Sequence, residues 1–451
     1  MRAGLRSIPR APGWLPGIGH MVPLSRGPLA FLRTLKDTGD LTRVHIGTMP
    51  VVFVNSLELA YEVMVTQAGR FHKGRFFDRL RSLVGDGLAT SDGATHRQHR
   101  RLMQPMFHQR RIAGYAELMS ARARELADSW VPGQTLDVGK VMAEWVVTTL
   151  AATMFSTDIG KPAAEVVQRN VPIIIENLLT RTVSPKILDG MPIPANRRFD
   201  AASRELHQVI DEVVAAVRQV GSDDQPDLLS TLIAARDADS GERLSDVEVR
   251  EELGTILFAG TETTATTLAW AFHEIARHPD VESQLLAEID AVVGTRPVTF
   301  ADMARLPYLR RVIDEVARLH SVTLLMRRAI EPVEIGGVLL PVGTEVAFSL
   351  YALHQDARVY PEPQRFDPDR WLPGRGPEVR QAFLPFGAGN RKCIGDAFSW
   401  TEITIALATV LSRWQLRPAT ETAPREVAAA VPRANRLAMT VVPRRPSNTR
   451  G

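Results

Sequence analysis

Cys393 is the only cysteine in this 451-residue chain, and its neighbours favour a reactive thiolate. Arg391 can offer charge and hydrogen bonds to an anionic group. An apolar helical run, Ala397 to Trp414, follows the cysteine, so the sulfur lies just before a helix N-terminus, where the dipole and free N–H groups favour the thiolate. Glycines on both sides let the backbone approach a flat, bulky group, in the segment Phe386-Gly387-Ala388-Gly389-Asn390-Arg391-Lys392-Cys393-Ile394-Gly395.

Three interpretations of this cysteine compete on the residues alone. A lone cysteine is most often a small buried hydrophobe. A catalytic nucleophile would need a matching His with Asn or Asp, and we find no such arrangement around it. An axial thiolate ligand to haem iron requires what the segment offers: a favoured thiolate, room for a planar group and a nearby cation.

A second chemically unusual stretch is Ala259-Gly260-Thr261-Glu262-Thr263-Thr264, in the middle of the strongest helical pattern of the chain, Asp246 to His278. Gly and β-branched Thr both weaken a helix, so their place at the centre of a long buried helix favours a functional explanation. Gly260 removes bulk for a planar cofactor and a diatomic ligand, the Thr263 hydroxyl can bond a carbonyl or a ligand, and Glu262 can shuttle protons. The alternative is a Thr-rich packing face with a solvated Glu.

Two charged pairs lie at helical spacing. His96 and Arg100 are four residues apart, and Glu315 and Arg318 are three apart, so each pair shares one helix face. Taken alone, the first is a solvated basic face and the second a surface ion pair of little energetic value.

These motifs, in their order and spacing, resemble those of the cytochrome P450 family. Phe-x-x-Gly-x-Arg-x-Cys-x-Gly at 386–395 resembles the family's haem-binding loop, and Ala/Gly-Gly-x-acid-Thr at 259–263 its oxygen-activating helix, with Glu262 replacing the commoner Asp. Glu315 to Arg318 resembles its Glu-x-x-Arg signature. The resemblance implies a mainly α fold with small β-sheets, haem lying between the long central helix and the cysteine loop with its C-terminal helix. It implies one domain over 1–451, with a Pro/Gly-rich lead-in at 1–27 and a polar tail at 443–451.

The resemblance also assigns roles. Thr263 and Glu262 would deliver protons, and Phe386 would shield the sulfur. His96 and Arg100 would hold one propionate of the haem, and Arg327 would bind the second. The adjacent Arg328 is an alternative to Arg327. The residues expected to bind haem b are Cys393 as the metal ligand, with His96, Arg100, Arg327, Arg391, Phe386, Gly260 and Gly395.

Two further groups follow from the family pattern. A buried structural triad would join Glu315 and Arg318 to Arg365 of the segment Pro363-Gln364-Arg365-Phe366. The substrate pocket, almost wholly apolar and so suited to a lipophilic molecule, would be lined by Phe76, Phe77, Leu88, Ile256, Phe258, Ala259, Leu324 and Leu325.

Composition is that of a globular protein, with 45% hydrophobic and 23% charged residues. Composition and charge also limit the classes of partner that the protein can have. The net charge of +3 is small and the Arg residues are scattered, which argues against a nucleic-acid partner. The N-terminal region lacks the apolar run of about 18 residues that a membrane-spanning helix needs, and it lacks a secretory signal. We therefore expect a cytoplasmic protein without a membrane anchor.

Periodicity places the remaining elements. We predict two strands within Arg43 to Asn55, further strands at Glu334 to Leu340 and Thr344 to Ser349, and an irregular pocket-lining loop from Phe71 to Thr90. The predicted helices other than the central one are Ala121–Ser129, Val138–Phe155, Ala163–Leu179, Asp200–Val220 and Tyr308–Leu319.

The predicted function is that of a haem-thiolate monooxygenase, a bacterial oxidoreductase that oxidises a lipophilic small molecule with O₂ and two electrons. The chain carries no flavin or iron–sulfur motif, so electrons from NAD(P)H would arrive through a separate ferredoxin and ferredoxin reductase. We expect a monomer whose basic docking surface comprises Arg97, Arg101, Arg110, Arg111 and Lys392.

Resemblance to soluble bacterial members of terpenoid pathways, through Pro194-Ala195-Asn196-Arg197-Arg198-Phe199, favours a terpenoid substrate in secondary metabolism. A fatty-acid or polyketide hydroxylase is the runner-up. A peroxide-dependent haem enzyme and a non-enzymatic haem protein remain as rival classes.

Overall fold

The computed structural model describes residues 4–155, 163–177 apart from 164, 168, 175 and 176, 191–220, 227–237, 241–375 and 382–444. Most of these residues lie in α-helices. The helices are α1 (Met21–Arg26), α2 (Pro28–Thr34), α3 (Leu57–Tyr61), α4 (Arg75–Val84), α5 (Gly93–Met103), α6 (Gln109–Asp128), α7 (Val138–Met154), α8 (Pro194–Val220), α9 (Leu228–Ala234), α10 (Asp246–Arg277), α11 (Pro279–Val292), α12 (Pro307–Leu319), α13 (Leu350–Leu353) and α14 (Asp396–Leu411).

Short strands form four small sheets. A five-stranded sheet has the order β1-β2-β8-β5-β3, with β2 and β8 parallel and the other neighbours antiparallel. A three-stranded sheet has the order β4-β12-β9, and β6-β7 and β10-β11 are two-stranded. The strands are β1 (Leu41–Ile46), β2 (Met49–Val54), β3 (Phe71–Lys73), β4 (Thr135–Asp137), β5 (Leu325–Ala329), β6 (Val333–Ile335), β7 (Val338–Leu340), β8 (Glu345–Phe348), β9 (Trp414–Pro418), β10 (Glu426–Val427), β11 (Arg433–Ala434) and β12 (Ala438–Pro443).

The central helix α10 begins at a capping box. The Ser245 hydroxyl accepts a hydrogen bond from the Glu248 N–H at 3.3 Å, and the Glu248 carboxylate accepts one from the Ser245 N–H at 2.8 Å. This exchange satisfies two otherwise free N–H groups and fixes where the helix starts. The helix then runs through the main hydrophobic core, packed along α7 on one side and in contact with α14.

Most of the predicted elements are confirmed. Helix α10 differs by one residue from the prediction, α12 by one, and α7 ends one residue earlier than predicted. The paired strands β1 and β2 turn at Gly47, as predicted. The predicted helix Ala163–Leu179 lies only partly within the described residues. A loop was predicted from Thr182 to Asn196; residues 182–190 lie outside the described residues, and the prediction is wrong from Pro194 onward, because α8 begins there.

The prediction of an irregular loop from Phe71 to Thr90 is wrong, because this stretch contains β3 and α4. Strand β3 pairs with β5, whose residues are more than 250 positions away, so no local pattern could reveal it. Helix α4 did leave a signal: Phe76, Leu80 and Val84 recur at intervals of four residues.

Two other boundaries need correction. The C-terminal helix α14 ends at Leu411, and Trp414 begins β9, which pairs with β12. The lead-in at 1–27 is not simply extended, because it contains α1 and is tied to the large sheet where Arg10 bridges Arg43. Among the described residues, no helix is long and apolar enough to span a membrane.

Candidate active site around Cys393

Glycines shape the loop that carries Cys393. Gly389 has φ +71°, and a Cβ there would lie 2.4 Å from the Met64 carbonyl oxygen, so only glycine fits. The Cys393 N–H donates to the Phe386 carbonyl at 3.0 Å, and the Gly395 N–H donates to the thiol sulfur. The Phe386 ring packs edge-on against Trp400, with ring centroids 5.0 Å apart. The loop therefore holds the sulfur in one place, just before α14.

The thiol opens into a space inside the protein. Its side chain is exposed, yet burial by surrounding protein raises the thiol pKa, an effect that the Gly395 N–H and the charge of Arg100 oppose. Both observations hold if the sulfur borders an internal cleft. Burial thus works against the helix N-terminus, and a cation bound beside the sulfur would lower the thiol pKa.

A cluster of cationic side chains lies beside the cysteine loop. Arg391 pairs with Asp92 at 2.8 Å and donates to the Phe71 carbonyl at 2.7 Å. Lys73 is buried and donates to the Leu88 carbonyl at 2.6 Å. Arg100 donates to the Lys392 carbonyl at 2.8 Å and so links α5 to the cysteine loop. Arg391, Lys73 and Arg100 together carry more positive charge than the one carboxylate described here, that of Asp92, can balance.

The pKa values of this cluster show the crowding of positive charge. Burial, followed by the charges of Lys73 and Arg391, lowers the pKa of His96 to about 3. Burial also lowers the pKa of Lys73 to about 7, despite attraction to Asp92. Burial and then the charge of Arg391 lower the pKa of Arg327 to about 10. An anion bound among these groups would restore their charged forms.

Adjacent arginines on β5 separate into two environments because successive side chains of a strand point to opposite faces. Arg328 pairs with Asp78 at 2.6 Å and with Glu345 at 2.5 Å. Arg327 is buried, lies opposite Lys73 in the β3–β5 register, and makes no ion pair among the described residues. The geometry therefore favours Arg327 over Arg328 as a ligand for a further anion.

In the middle of α10, Phe258–Gly260, Glu262 and Thr263 are less buried than their neighbours; we call these residues the open stripe. Ala259 is exposed although the residues from Glu252 to Leu257 are buried, so it borders an internal space. One turn on, the Thr263 hydroxyl donates to the Ala259 carbonyl at 2.9 Å, as predicted. Burial raises the pKa of Glu262 to about 7, although the Ala430 N–H and the charge of Arg433 pull it down. This carboxyl is thus poised to exchange protons near neutral pH.

Gly260 has a different role from the predicted one. A Cβ at this position would lie 3.0 Å from the Leu150 side chain on α7. The missing side chain therefore lets α7 and α10 pack closely, and the use of this glycine to make room for a cofactor stays a prediction.

A hydrogen bond joins the two candidate segments. The hydroxyl of Thr264, next to Thr263, lies 3.1 Å from the hydroxyl of Ser399, which is six residues after Cys393. The open centre of α10 and the cysteine loop are thereby brought to the same part of the molecule.

The predicted pocket residues are spread over α4, α10 and β5 or the segments beside them. Phe76 and Phe77 on α4 are half-buried and pack edge-on, with centroids 5.3 Å apart. Phe258, Leu324 and Leu325 are also half-buried, whereas Leu88 and Ile256 are buried. Their joint role in a pocket stays a prediction.

The buried ion-pair network uses a different third residue from the predicted one. Glu315 and Arg318 are fully buried and pair at 2.8 Å, and Arg370 donates to Glu315 at 3.3 Å. Arg365 instead lies on the surface and pairs with Glu362, so its assignment to the triad is wrong. The sequence held the signal, because Pro368-Asp369-Arg370-Trp371 repeats the Pro-x-Arg-aromatic pattern five residues downstream.

Comparison with known proteins identifies the family. A family model described as Cytochrome P450 matches residues 9–437. The chain belongs to the cytochrome P450 family. Its members are oxidoreductases that hold haem through a cysteine thiolate.

Individual P450 proteins align over nearly the whole chain. "Cyclooctatin synthase" of Streptomyces melanosporofaciens is 41% identical over 90% of this chain and 90% of its own length. "Pentalenene oxygenase" of Streptomyces avermitilis is 37% identical over 95% of this chain and 96% of its own. A solved cytochrome P450DA heme domain superposes with a TM-score of 0.87 at 27% identity, covering 97% of this chain and 98% of that one.

The residues present fit the haem that P450 proteins carry. A single thiol borders an internal space, as an iron ligand requires, and a cation bound there would favour its thiolate. The neighbouring cationic cluster has an excess of positive charge, which two propionates would balance. Sequence reasoning missed Lys73 in this cluster because the residue lies on β3, a strand of three residues that is defined by its pairing with the distant β5.

Proposed function

We propose that Cys393 is the axial haem ligand of a monooxygenase that oxidises a lipophilic terpenoid. The observation that carries the proposal is the hydrogen bond between Thr264 and Ser399, which brings the thiol loop and the open stripe of α10 together in a member of the P450 family. The bound haem would supply O₂ binding and reductive O–O cleavage, which a thiolate ligand favours.

Five side chains would hold the haem at its carboxylate edge. Arg391, Arg327, His96 and Arg100 are the predicted ligands, and Lys73 joins them. Charge-assisted hydrogen bonds to propionates in so shielded a place are strong, and they would fix the haem relative to α10. Phe386, held by Trp400, would cover the sulfur side.

Glu262 and Thr263 would deliver protons to the oxygen site. The raised pKa of Glu262 lets it hold a proton near neutral pH, and its neighbour Thr263 turns a hydroxyl toward the open stripe at Ala259. Proton supply to the oxygen site would then depend on these two side chains.

Apolar pocket residues support a lipophilic substrate. The half-buried residues Phe76, Phe77, Phe258, Leu324 and Leu325 offer almost no polar groups to a ligand. One relative is named "Cyclooctat-9-en-7-ol 5-monooxygenase" and another "Pentalenene oxygenase". Both named substrates are unsaturated carbon skeletons with few polar groups, which favours a terpenoid over a fatty acid or polyketide here.

A separate electron donor completes the proposal. We place the enzyme in the cytoplasm as a monomeric single-domain protein that receives electrons from NAD(P)H through a ferredoxin and its reductase. Of the predicted docking residues, Arg97, Arg110 and Arg111 are exposed and make no ion pair among the described residues. Arg101 is committed to Asp237 at 2.9 Å and Lys392 to Asp396 at 2.5 Å, which reduces the surface to the first three.

A spectroscopic titration tests the function. Purified, haem-loaded protein would be titrated with pentalenene, a cyclooctatene alcohol and palmitic acid while the haem spectrum is followed. We expect the hydrocarbon or the alcohol to displace iron-bound water and shift the spin state, with palmitate inert. A shift with palmitate alone would replace the terpenoid assignment, and a reduced carbonyl adduct absorbing like an imidazole-bound globin would refute the thiolate ligand.

A further inference from the structure

An exposed apolar loop lies near the start of the described chain. All seven residues from Pro12 to Ile18 are exposed and none carries a charge. Trp14, Leu15 and Ile18 expose 36%, 45% and 46% of their surface. Among the described residues, the other large exposed apolar side chains are single except for Met191 and Ile193, so three within five positions form a local patch.

The backbone of this apolar loop is fixed. Leu15 and Gly19 exchange two main-chain hydrogen bonds of 2.9 Å, which close the turn. Gly19 has φ +62°, and a Cβ there would lie 2.3 Å from the His45 carbonyl oxygen, so the loop is pinned to β1. The buried His20 ring accepts from the His45 N–H at 2.8 Å and lies 3.0 Å from the Ala11 carbonyl. The apolar tip is therefore presented in a set shape.

Charge around the apolar loop has one sign. The first 36 residues of the sequence contain Arg2, Arg6, Arg10, Arg26, Arg33 and Lys36 and no acidic residue. Arg6, Arg10 and Arg26 are exposed, and the Arg10 guanidinium lies 4.2 Å from the Trp14 ring centroid. An exposed Trp flanked by apolar residues and cations suits the boundary between lipid headgroups and acyl chains.

We propose that the apolar loop Pro12–Ile18 docks the protein on an anionic lipid surface. Trp14, Leu15 and Ile18 would enter the headgroup region, and Arg6, Arg10 and Arg26 would contact lipid phosphates. An apolar insertion and a basic patch are the two signals that stable peripheral binding requires. Association of this kind needs no spanning helix, and it does not depend on the proposed substrate or on catalysis.

Vesicle sedimentation tests the proposal on the haem-loaded full chain. Vesicles of phosphatidylcholine with phosphatidylglycerol would be compared with vesicles of phosphatidylcholine alone, without substrate. We expect binding to the anionic vesicles that falls at least tenfold in the triple variant Trp14→Ser, Leu15→Ser, Ile18→Ser. The double variant Arg6→Glu, Arg26→Glu should lose the preference for anionic vesicles.

A matched control uses two apolar residues exposed elsewhere. Val131 and Val342 are 60% and 61% exposed, so Val131→Ser with Val342→Ser removes exposed apolar side chains away from the loop and should leave binding unchanged. An unaltered haem spectrum in every variant shows that the fold survives. Wild-type protein that ignores both vesicle types, or a triple variant that binds as well as wild type, overturns the proposal. Self-association that the triple variant abolishes, without vesicle binding, overturns it in favour of a second copy as the partner.

Discussion

At the scale of single residues, the environment of Glu262 gives the most specific prediction about function. Its carboxyl accepts a hydrogen bond from the Ala430 N–H, and burial raises its pKa to about 7 from the usual 4.5. Below that pH the side chain holds a proton that it can donate, and above it the carboxylate cannot. Proton delivery should therefore weaken as the pH rises through about 7.

Replacing Glu262 by Gln should remove this pH dependence. We expect the fraction of NAD(P)H converted to product to fall roughly tenfold in Glu262→Gln at pH 6, and to stay low and flat up to pH 9. Wild-type coupling should decline as the pH passes 7. The matched variant Glu262→Asp should keep a pH-dependent profile. A Gln variant with wild-type coupling across this range would show that protons reach the site by another route.

Single residues also show the reach of sequence reasoning. Cys393, Thr263 and Glu262 could be singled out because dense motifs fix several residue types over a few positions. Arg365 was predicted and Arg370 was not considered, although both lie in Pro-x-Arg-aromatic segments five residues apart. Only the path of the folded chain shows which guanidinium reaches Glu315. Lys73 had no motif at all, and its place beside Arg327 depends on strand pairing.

At the scale of elements, the network around Glu315 ties α12 to the segment that leads into the cysteine loop. Glu315 accepts hydrogen bonds from Arg318, Arg370 and the Trp371 indole at 2.8 to 3.3 Å. Arg318 also donates to carbonyls of His354 and Pro363. A buried carboxylate with this many donors is satisfied, and losing one partner leaves charge unbalanced in a dry place.

A pair of arginine variants separates the buried contact from the surface one. Arg370→Ala should lower the free energy of unfolding by about 3–5 kcal/mol and reduce haem retention. Arg365→Ala, which breaks only the exposed pair with Glu362, should cost about 0–1 kcal/mol. Guanidinium unfolding with haem absorbance as a second probe measures both. Equal losses in the two variants, or a larger loss in Arg365→Ala, would contradict the assignment of Arg370.

Elements differ in how far local sequence determines them. Helix α10 could be placed within a residue of its ends because its capping serine, its apolar content and the following Pro279 all act locally. Strand β3 consists of three residues that are stabilised by pairing with β5. Trp414 lies in β9 and not in the predicted helix, because β9 pairs with β12. Short strands held by distant partners are the elements that periodicity misses.

At the scale of the whole molecule, charge distribution sets how a redox partner would approach. Arg97 lies on α5, which carries the proposed propionate ligands His96 and Arg100, and Arg110 and Arg111 lie in the first turn of α6. The ion pair of Arg101 could not be foreseen from sequence, because Asp237 is 136 residues away, whereas Lys392 and Asp396 are only four residues apart and could have been considered as a pair. The proposed docking surface therefore rests on Arg97, Arg110 and Arg111, which are exposed and make no ion pair among the described residues.

Charge reversal at two of these positions tests whether they receive an acidic partner. In Arg97→Glu with Arg111→Glu, we expect haem reduction by a bacterial ferredoxin and its reductase to slow roughly tenfold at low ionic strength, because steering by opposite charges raises association rates. The deficit should shrink as salt screens the charges. Reduction by dithionite should not change, since it needs no docking.

A control variant, Arg425→Glu with Arg436→Glu, alters the net charge equally at exposed positions preceding β10 and β12, and its haem should be reduced at the wild-type rate. If both double variants slow alike, net charge and not a docking surface governs the encounter.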